Sequence, residues 1–207
     1  MQRSIFQKDK HYTFSDYFNF NLPARDIAVA LDYSFLSERI EFTSAKNTID
    51  DKVIHHLQHS YYDVLPKINL TSEMSKREFM IAPILWELIR HIEAEISIEY
   101  PLKVNDKLSG TLDYFIRSQQ NIVIIEAKKS DLENGFTQLT AELIALDKWE
   151  NQKNSNFLYG AVSVGEVWRF ALLNRKKQLI IKDLHTYRVP EDLKDIFSIL
   201  LGILGTK

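Results

Sequence analysis

Gly110-Thr-Leu-Asp113-Tyr-Phe-Ile-Arg117, then Ser118-Gln-Gln-Asn121, then Ile122-Val-Ile-Ile-Glu126-Ala-Lys128 is the stretch that decides the fold. Two runs rich in β-branched and aromatic residues flank a short polar break, which is the pattern of a β-hairpin. With Gln119 and Gln120 at the tip, Ser118 pairs with Asn121, and counting back along both strands places Asp113 opposite Glu126. Strand side chains repeat with period two, so Lys128 falls on the same face as Glu126.

That geometry is costly in a bare protein. Like charges opposite one another repel, and a carboxylate among Ile, Val and Phe loses solvation. A divalent cation between the two acids would turn repulsion into coordination, and oxygen donors on rigid strands suit Mg²⁺ or Mn²⁺. Lys128 at the edge of the same cluster could hold a water nucleophile or offset charge developing on a phosphate oxygen. Glu-x-Lys alone is common by chance. The weight rests on the whole set: an acid in a strand after a Gly, a short gap, an apolar strand ending in Glu-x-Lys, then an amphipathic helix carrying Gln138.

Asp113 followed by Glu126-Ala127-Lys128 resembles the PD-(D/E)xK phosphodiesterase superfamily, the restriction-endonuclease-like nucleases. Ser72-Glu73 with Arg77, then Ala82-Pro83-Ile84-Leu85, is similar to the first helix of the nuclease domain of type I restriction enzyme motor subunits. Gly160-Ala161-Val162-Ser163-Val164-Gly165 with Trp168 and Phe170 looks like that group's later strand and turn. The resemblance covers about residues 70 to 175. It implies that a first-helix Glu joins the metal shell; Glu73 matches the motif position better than Glu78 or Glu87. It further implies a role for the Ala127 carbonyl as an additional ligand and for Gln138 in positioning Lys128 or the substrate. Similar nucleases often carry Tyr four residues after that Gln, where this chain has Glu142.

Composition sets bounds around this reading. The chain has 207 residues, 45% hydrophobic and 26% charged, enough to bury one substantial core. No apolar run reaches membrane-span length, and Met1 to Lys10 contains no apolar signal core. The absence of Cys excludes disulfides and thiolate metal sites and fits a cytoplasmic setting. Net charge is -2, so any phosphate-binding surface must be local. Candidates are Lys128 with Lys129, and Lys103 with Lys107. Arg175, Lys176, Lys177, Lys182 and Arg188 read more readily as a polar hairpin tip.

Outside the central stretch, Tyr12, Phe14, Tyr17, Phe18 and Phe20 read as anchors docking the first segment on the core. Pro23–Leu31 is predicted as a short helix and Tyr33–Phe42 as a strand or irregular segment. Ile49–Val64 is predicted as a helix; its His55, His56 and His59 lack a Glu or Cys that would complete a zinc pattern and read as a solvated face. Thr71–Ile92 is predicted as a long helix with Ser75 and Glu78 as capping box, interrupted at Pro83, its stripe Ile81, Ile84, Leu85, Leu88 and Ile92 facing the sheet.

Glu95–Val104 is a predicted strand, bent or at an edge because of Pro101. A loop over Ser130–Gly135 leads to a helix over Phe136–Trp149, with Gln138 and Glu142 on its second flank. Phe157–Val164 is a predicted buried strand parallel to the Glu126 strand, followed by a hairpin of Glu166–Leu173 and Gln178–Leu184. A final helix starts at Pro190, and its Ile199, Ile203 and Leu204 could make a dimer contact.

These readings combine into an α/β domain over 71–207, a mixed central sheet flanked by helices of restriction-endonuclease-like type. Residues 1–70 form an N-terminal extension packed on it. The expected chemistry is Mg²⁺- or Mn²⁺-dependent hydrolysis of phosphodiesters in DNA, with RNA left open, without membrane association, acting alone, as a homodimer or with a partner subunit.

Overall fold

The computed structural model describes residues 5–43, 49–149 and 155–205. Helices α1 (Phe14–Asn19) and α2 (Ala24–Ala30) precede strand β1 (Ser34–Glu38) and helix α3 (Asp51–Val64). Then come α4 (Glu73–Lys76), a π-helical segment (Arg77–Ile81), α5 (Ala82–Ile89) and three strands, β2 (Ala94–Asn105), β3 (Leu108–Ser118) and β4 (Ile122–Ala127). Helix α6 (Leu132–Trp149) leads to β5 (Phe157–Ser163), β6 (Val167–Asn174), β7 (Leu179–Asp183), β8 (Tyr187–Arg188) and α7 (Leu193–Leu204).

The strands form one mixed eight-stranded sheet in the order β1-β7-β6-β5-β4-β3-β2, with β8 on β6. The central hairpin has the register expected from its sequence: Arg117 faces Ile122, Tyr114 faces Ile125, and Ser118 donates its amide to the Asn121 carbonyl at 3.0 Å. β4 and β5 are parallel, joined by α6, which is the crossover that a parallel neighbour requires.

Alternation along the strands builds two cores. Phe115, Ile122 and Ile124 pack with α1, α2 and α6, whereas Tyr114, Ile116, Val123 and Ile125 pack with α3, α5 and α7. The sheet is therefore sandwiched between two helical layers. Residues 12–38 do more than cover a finished domain. β1 pairs parallel with β7, and Tyr12, Phe14 and Tyr17 are buried, with Tyr17 Oη donating to the Lys107 carbonyl at 2.7 Å.

Midway along the β2–β3 hairpin the alternation resets. Ile96 and Ala94 face the α5 and α7 side, but Tyr100, Leu102 and Val104 face the α6 side, and Leu112 shares that core with Phe115. Register is unchanged across the break, since Ile98 faces Tyr114 and Tyr100 faces Leu112. The residues between them are Glu99, which has φ 55°, and Asp113. A local break that re-aims side chains is a common device beside a functional site.

Several local expectations need correcting. Ser75 caps with Ser72, not Glu78: Ser72 Oγ accepts from the Ser75 amide at 3.0 Å, and Ser75 Oγ accepts from the Ser72 amide at 3.2 Å. The predicted long helix divides because Pro83 has no amide to donate; the wider π turn before it hands over to α5 with Pro83 in the first turn. Helix α6 starts at Leu132, inside the predicted loop, where the Asp131 carboxylate accepts from the Asn134 amide at 3.0 Å. Gly135 sits in its first turn because a Cβ there would lie 2.6 Å from Val162 Cγ1. Ile199, Ile203 and Leu204 are 7%, 3% and 2% exposed inside the chain's own core, so they offer no dimer contact. Among the described residues, no helix is long and apolar enough to cross a membrane.

Candidate active site

The site forms where β4 ends beside β5 and the outer arm of β3 passes it, with α6 closing one side. Glu126 is the penultimate residue of β4, a strand buried along its full length, and only 1% of it is exposed. Its Oε1 meets Lys128 Nζ at 2.5 Å and accepts from Gln138 Nε2 at 2.7 Å. Among the described residues, no donor reaches its Oε2. Asp113, at the hairpin break, turns its Oδ2 to the Ala127 amide at 2.8 Å, and Arg77 Nη1 stands 3.7 Å from its Oδ1. Asp113 thus lies level with Glu126 as counted, but it is held against the β4 backbone rather than standing parallel to Glu126.

Lys128 is oriented from three directions. Its amide donates to the Ser163 carbonyl at 2.8 Å, its ammonium pairs with Glu126, and the Phe18 ring lies 5.1 Å from Nζ, a cation–π contact. Burial works against the charged form, but Glu126, aided by Glu73 and Asp113, outweighs it and holds the Lys128 pKa above its ordinary value. Lys128 is an ammonium at neutral pH, able to donate and to offset negative charge, and is not a general base.

Burial raises the Glu126 carboxyl well above its ordinary range, and Glu142 and Asp113 push the same way against Lys128. Glu142, which the sequence places on the second flank of α6, belongs to this site. It is 1% exposed, its Oε1 accepts from Gln138 Nε2 at 2.9 Å, and burial pushes its carboxyl up to about 7. Gln138 therefore bridges the two glutamates, is buried, and shares the Glu126 Oε1 atom with Lys128 Nζ.

Glu73 opens α4 close enough to act on the Lys128 charge, whereas Glu87 pairs with His91 at 2.8 Å and Arg90 at 3.0 Å away from the site, and Glu78 is exposed. Arg77, quoted in the sequence only as part of a motif, spans Asp113 and Glu99, the latter at 3.4 Å. His55, His56 and His59 are all exposed on α3.

The oxygen donors present fit a hard divalent cation. Glu126 Oε2 is a buried carboxylate oxygen with no donor, and Asp113, Glu142 and Glu73 add negative charge that Lys128 and Arg77 only partly offset. Among the described residues, no three His, Asp or Glu side chains are already gathered as a metal cluster.

The basic residues are dispersed. Lys129 is exposed and lines a cleft with Lys76, Ser130 and Arg169 next to the site. Lys103 and Lys107 are exposed on the outer arm of the β2–β3 hairpin; at 3.4 Å per residue, Lys107 lies about 20 Å along the arm from Asp113. Arg175 is buried against Asp147 at 3.4 Å, Lys182 holds Glu133 at 2.7 Å, and Arg188 holds Asp192 at 3.2 Å, so that group makes no common patch. Compared with protein-family models, curated proteins and solved structures, the chain finds no match.

Proposed function

We propose that this chain is a metal-dependent nuclease that hydrolyses phosphodiester bonds in DNA, on a sheet of restriction-endonuclease-like type. The observation that carries the reading is the buried Glu126 carboxylate, with one oxygen on the Lys128 ammonium and the other without a donor among the described residues. Asp113, Glu126 and the Ala127 carbonyl would hold Mg²⁺ or Mn²⁺, with Glu73 supporting the shell. When bound, such an ion supplies Lewis acidity and a water of lowered pKa. Lys128 would orient that water and offset charge developing on the phosphate; Gln138 holds Glu126 in place. Lys129 beside the site and Lys103 and Lys107 along the hairpin arm would contact phosphates of a bound strand.

A second reading, a nucleic-acid-binding or assembly module without turnover, is favoured by two observations: Glu126 and Lys128 already pair with each other, and the aromatic position after Gln138 is Glu142. Incubating the protein with single-stranded, duplex and branched DNA and with RNA, in Mn²⁺ and in chelator, separates the two. The nuclease reading expects metal-dependent cleavage that Lys128→Ala abolishes while Mg²⁺ binding by calorimetry stays largely intact. Cleavage surviving in Lys128→Ala would remove the lysine from the mechanism. Absence of any Asp113-dependent metal binding would favour the binding module.

A further inference from the structure

We infer that Glu142 is a positioning residue of this site: it locks the Gln138 amide, and through it the Glu126 carboxylate, in the orientation that receives a divalent cation. The inference rests on the nuclease reading for its cation and on geometry for its lock.

A glutamine amide has two protons to donate. Gln138 Nε2 gives one to Glu126 Oε1 at 2.7 Å and the other to Glu142 Oε1 at 2.9 Å, so its capacity as a donor is fully used. Gln138 and Glu142 are one turn apart on α6 and share a flank. Gln138 is 3% exposed and both glutamates 1%, which leaves no water to replace a lost partner. Without Glu142 the amide keeps Glu126 as its single anchor and can swing, so Glu126 stays on the Lys128 ammonium but is no longer held in one plane by a fixed amide.

Glu142 is also kept at a cost, since it places a second acidic side chain in the dry interior next to Glu126.

Three proteins decide it: the wild-type chain, Glu142→Leu and Glu142→Gln. Each is followed by thermal unfolding in chelator, by solvent exchange of the Gln138 side-chain amide protons in NMR spectra, and by Mn²⁺ titration calorimetry. Glu142→Leu should unfold in a single cooperative thermal transition as wild type does, exchange its Gln138 amide protons about tenfold faster and bind Mn²⁺ about tenfold more weakly, the scale of one lost hydrogen bond to a charged group. Glu142→Gln still offers a carbonyl to Gln138 and should stay within about threefold of wild type in both exchange and affinity.

Unchanged amide exchange in Glu142→Leu would overturn the lock. Equal weakening in Glu142→Gln and Glu142→Leu would overturn it too, because charge and not position would then be the cause. Should the wild-type chain bind no Mn²⁺, the nuclease reading and the cation half of the inference fall together, and the amide signal in the metal-free protein still decides whether Glu142 holds Gln138.

Discussion

The buried glutamates make the metal-free protein less stable as pH rises. Glu142 has an ordinary value of 4.5 and one of about 7 in the folded chain, so the folded state binds this proton more tightly than the unfolded state does. Its stabilising contribution is fully present below about 4.5 and is lost as pH rises through about 7. At 1.36 kcal/mol per pH unit, the interval is worth about 3 kcal/mol. Glu126, raised by burial and by Glu142, adds in the same direction. Asp16, Asp51 and Asp192 are lowered and act with the opposite sign, but below the ordinary carboxylate range, so a window from pH 5 to 8 isolates the glutamates. Urea unfolding in chelator should show the midpoint falling by roughly 1 to 1.5 M across that window, taking a slope of about 2 to 3 kcal/mol/M. Glu142→Gln should be markedly flatter. On the proposed nuclease reading, added Mn²⁺ should recover stability most at the high end, where the carboxylates that would hold it are ionised. Parallel pH profiles for wild type and Glu142→Gln would refute the reasoning, because they would mean that Glu142 does not change protonation on folding.

Other substitutions probe the frame around the site. Gly135→Ala gains helix propensity of about 1 kcal/mol, but its Cβ would press on Val162 Cγ1 at 2.6 Å and on Lys128 Cγ at 3.4 Å; overpacking of about 1–3 kcal/mol should win, giving a lower urea midpoint. Tyr17→Phe removes the hydroxyl bonded to the Lys107 carbonyl and should cost about 1 kcal/mol by the same assay. Leu200→Ala, fully buried beneath the sheet, should cost about 2–5 kcal/mol in thermal or urea unfolding.

Much of the fold was legible because the signals were local. The polar tetrad Ser118–Asn121 sets a hairpin register that puts Asp113 level with Glu126, and the apolar run of β4 marks a strand buried on both faces. Pro101 marked an edge strand, and β2 is one. What the sequence hid depends on distant packing. Glu142 reads as the polar flank of an amphipathic helix, yet α1 and α2 lie over α6 and leave residues 135–147 buried all round. The face switch at Glu99 and Asp113 has no sequence marker, because the register passes through it unchanged; only the φ of 55° at Glu99 reveals it. Phe18 was counted among packing aromatics, and its place beside Lys128 arises from how α1 docks. The hydrolytic chemistry and the metal stand as proposals: their support is the arrangement around Glu126, and the decisive observations are biochemical.

The parallel pairing of β1 with β7 bears on how the molecule is made. Ser34 finds Leu179 and Glu38 finds Asp183, more than half the chain away. A ribosome therefore releases β1 long before its neighbour exists, and Tyr33 and Phe35 must wait without their final shelter. Closing so long a loop is among the slowest events available to a chain of this size, so the sheet edge next to β7 should be the last to acquire protection during refolding, after the β2–β3–β4 meander has formed from near neighbours.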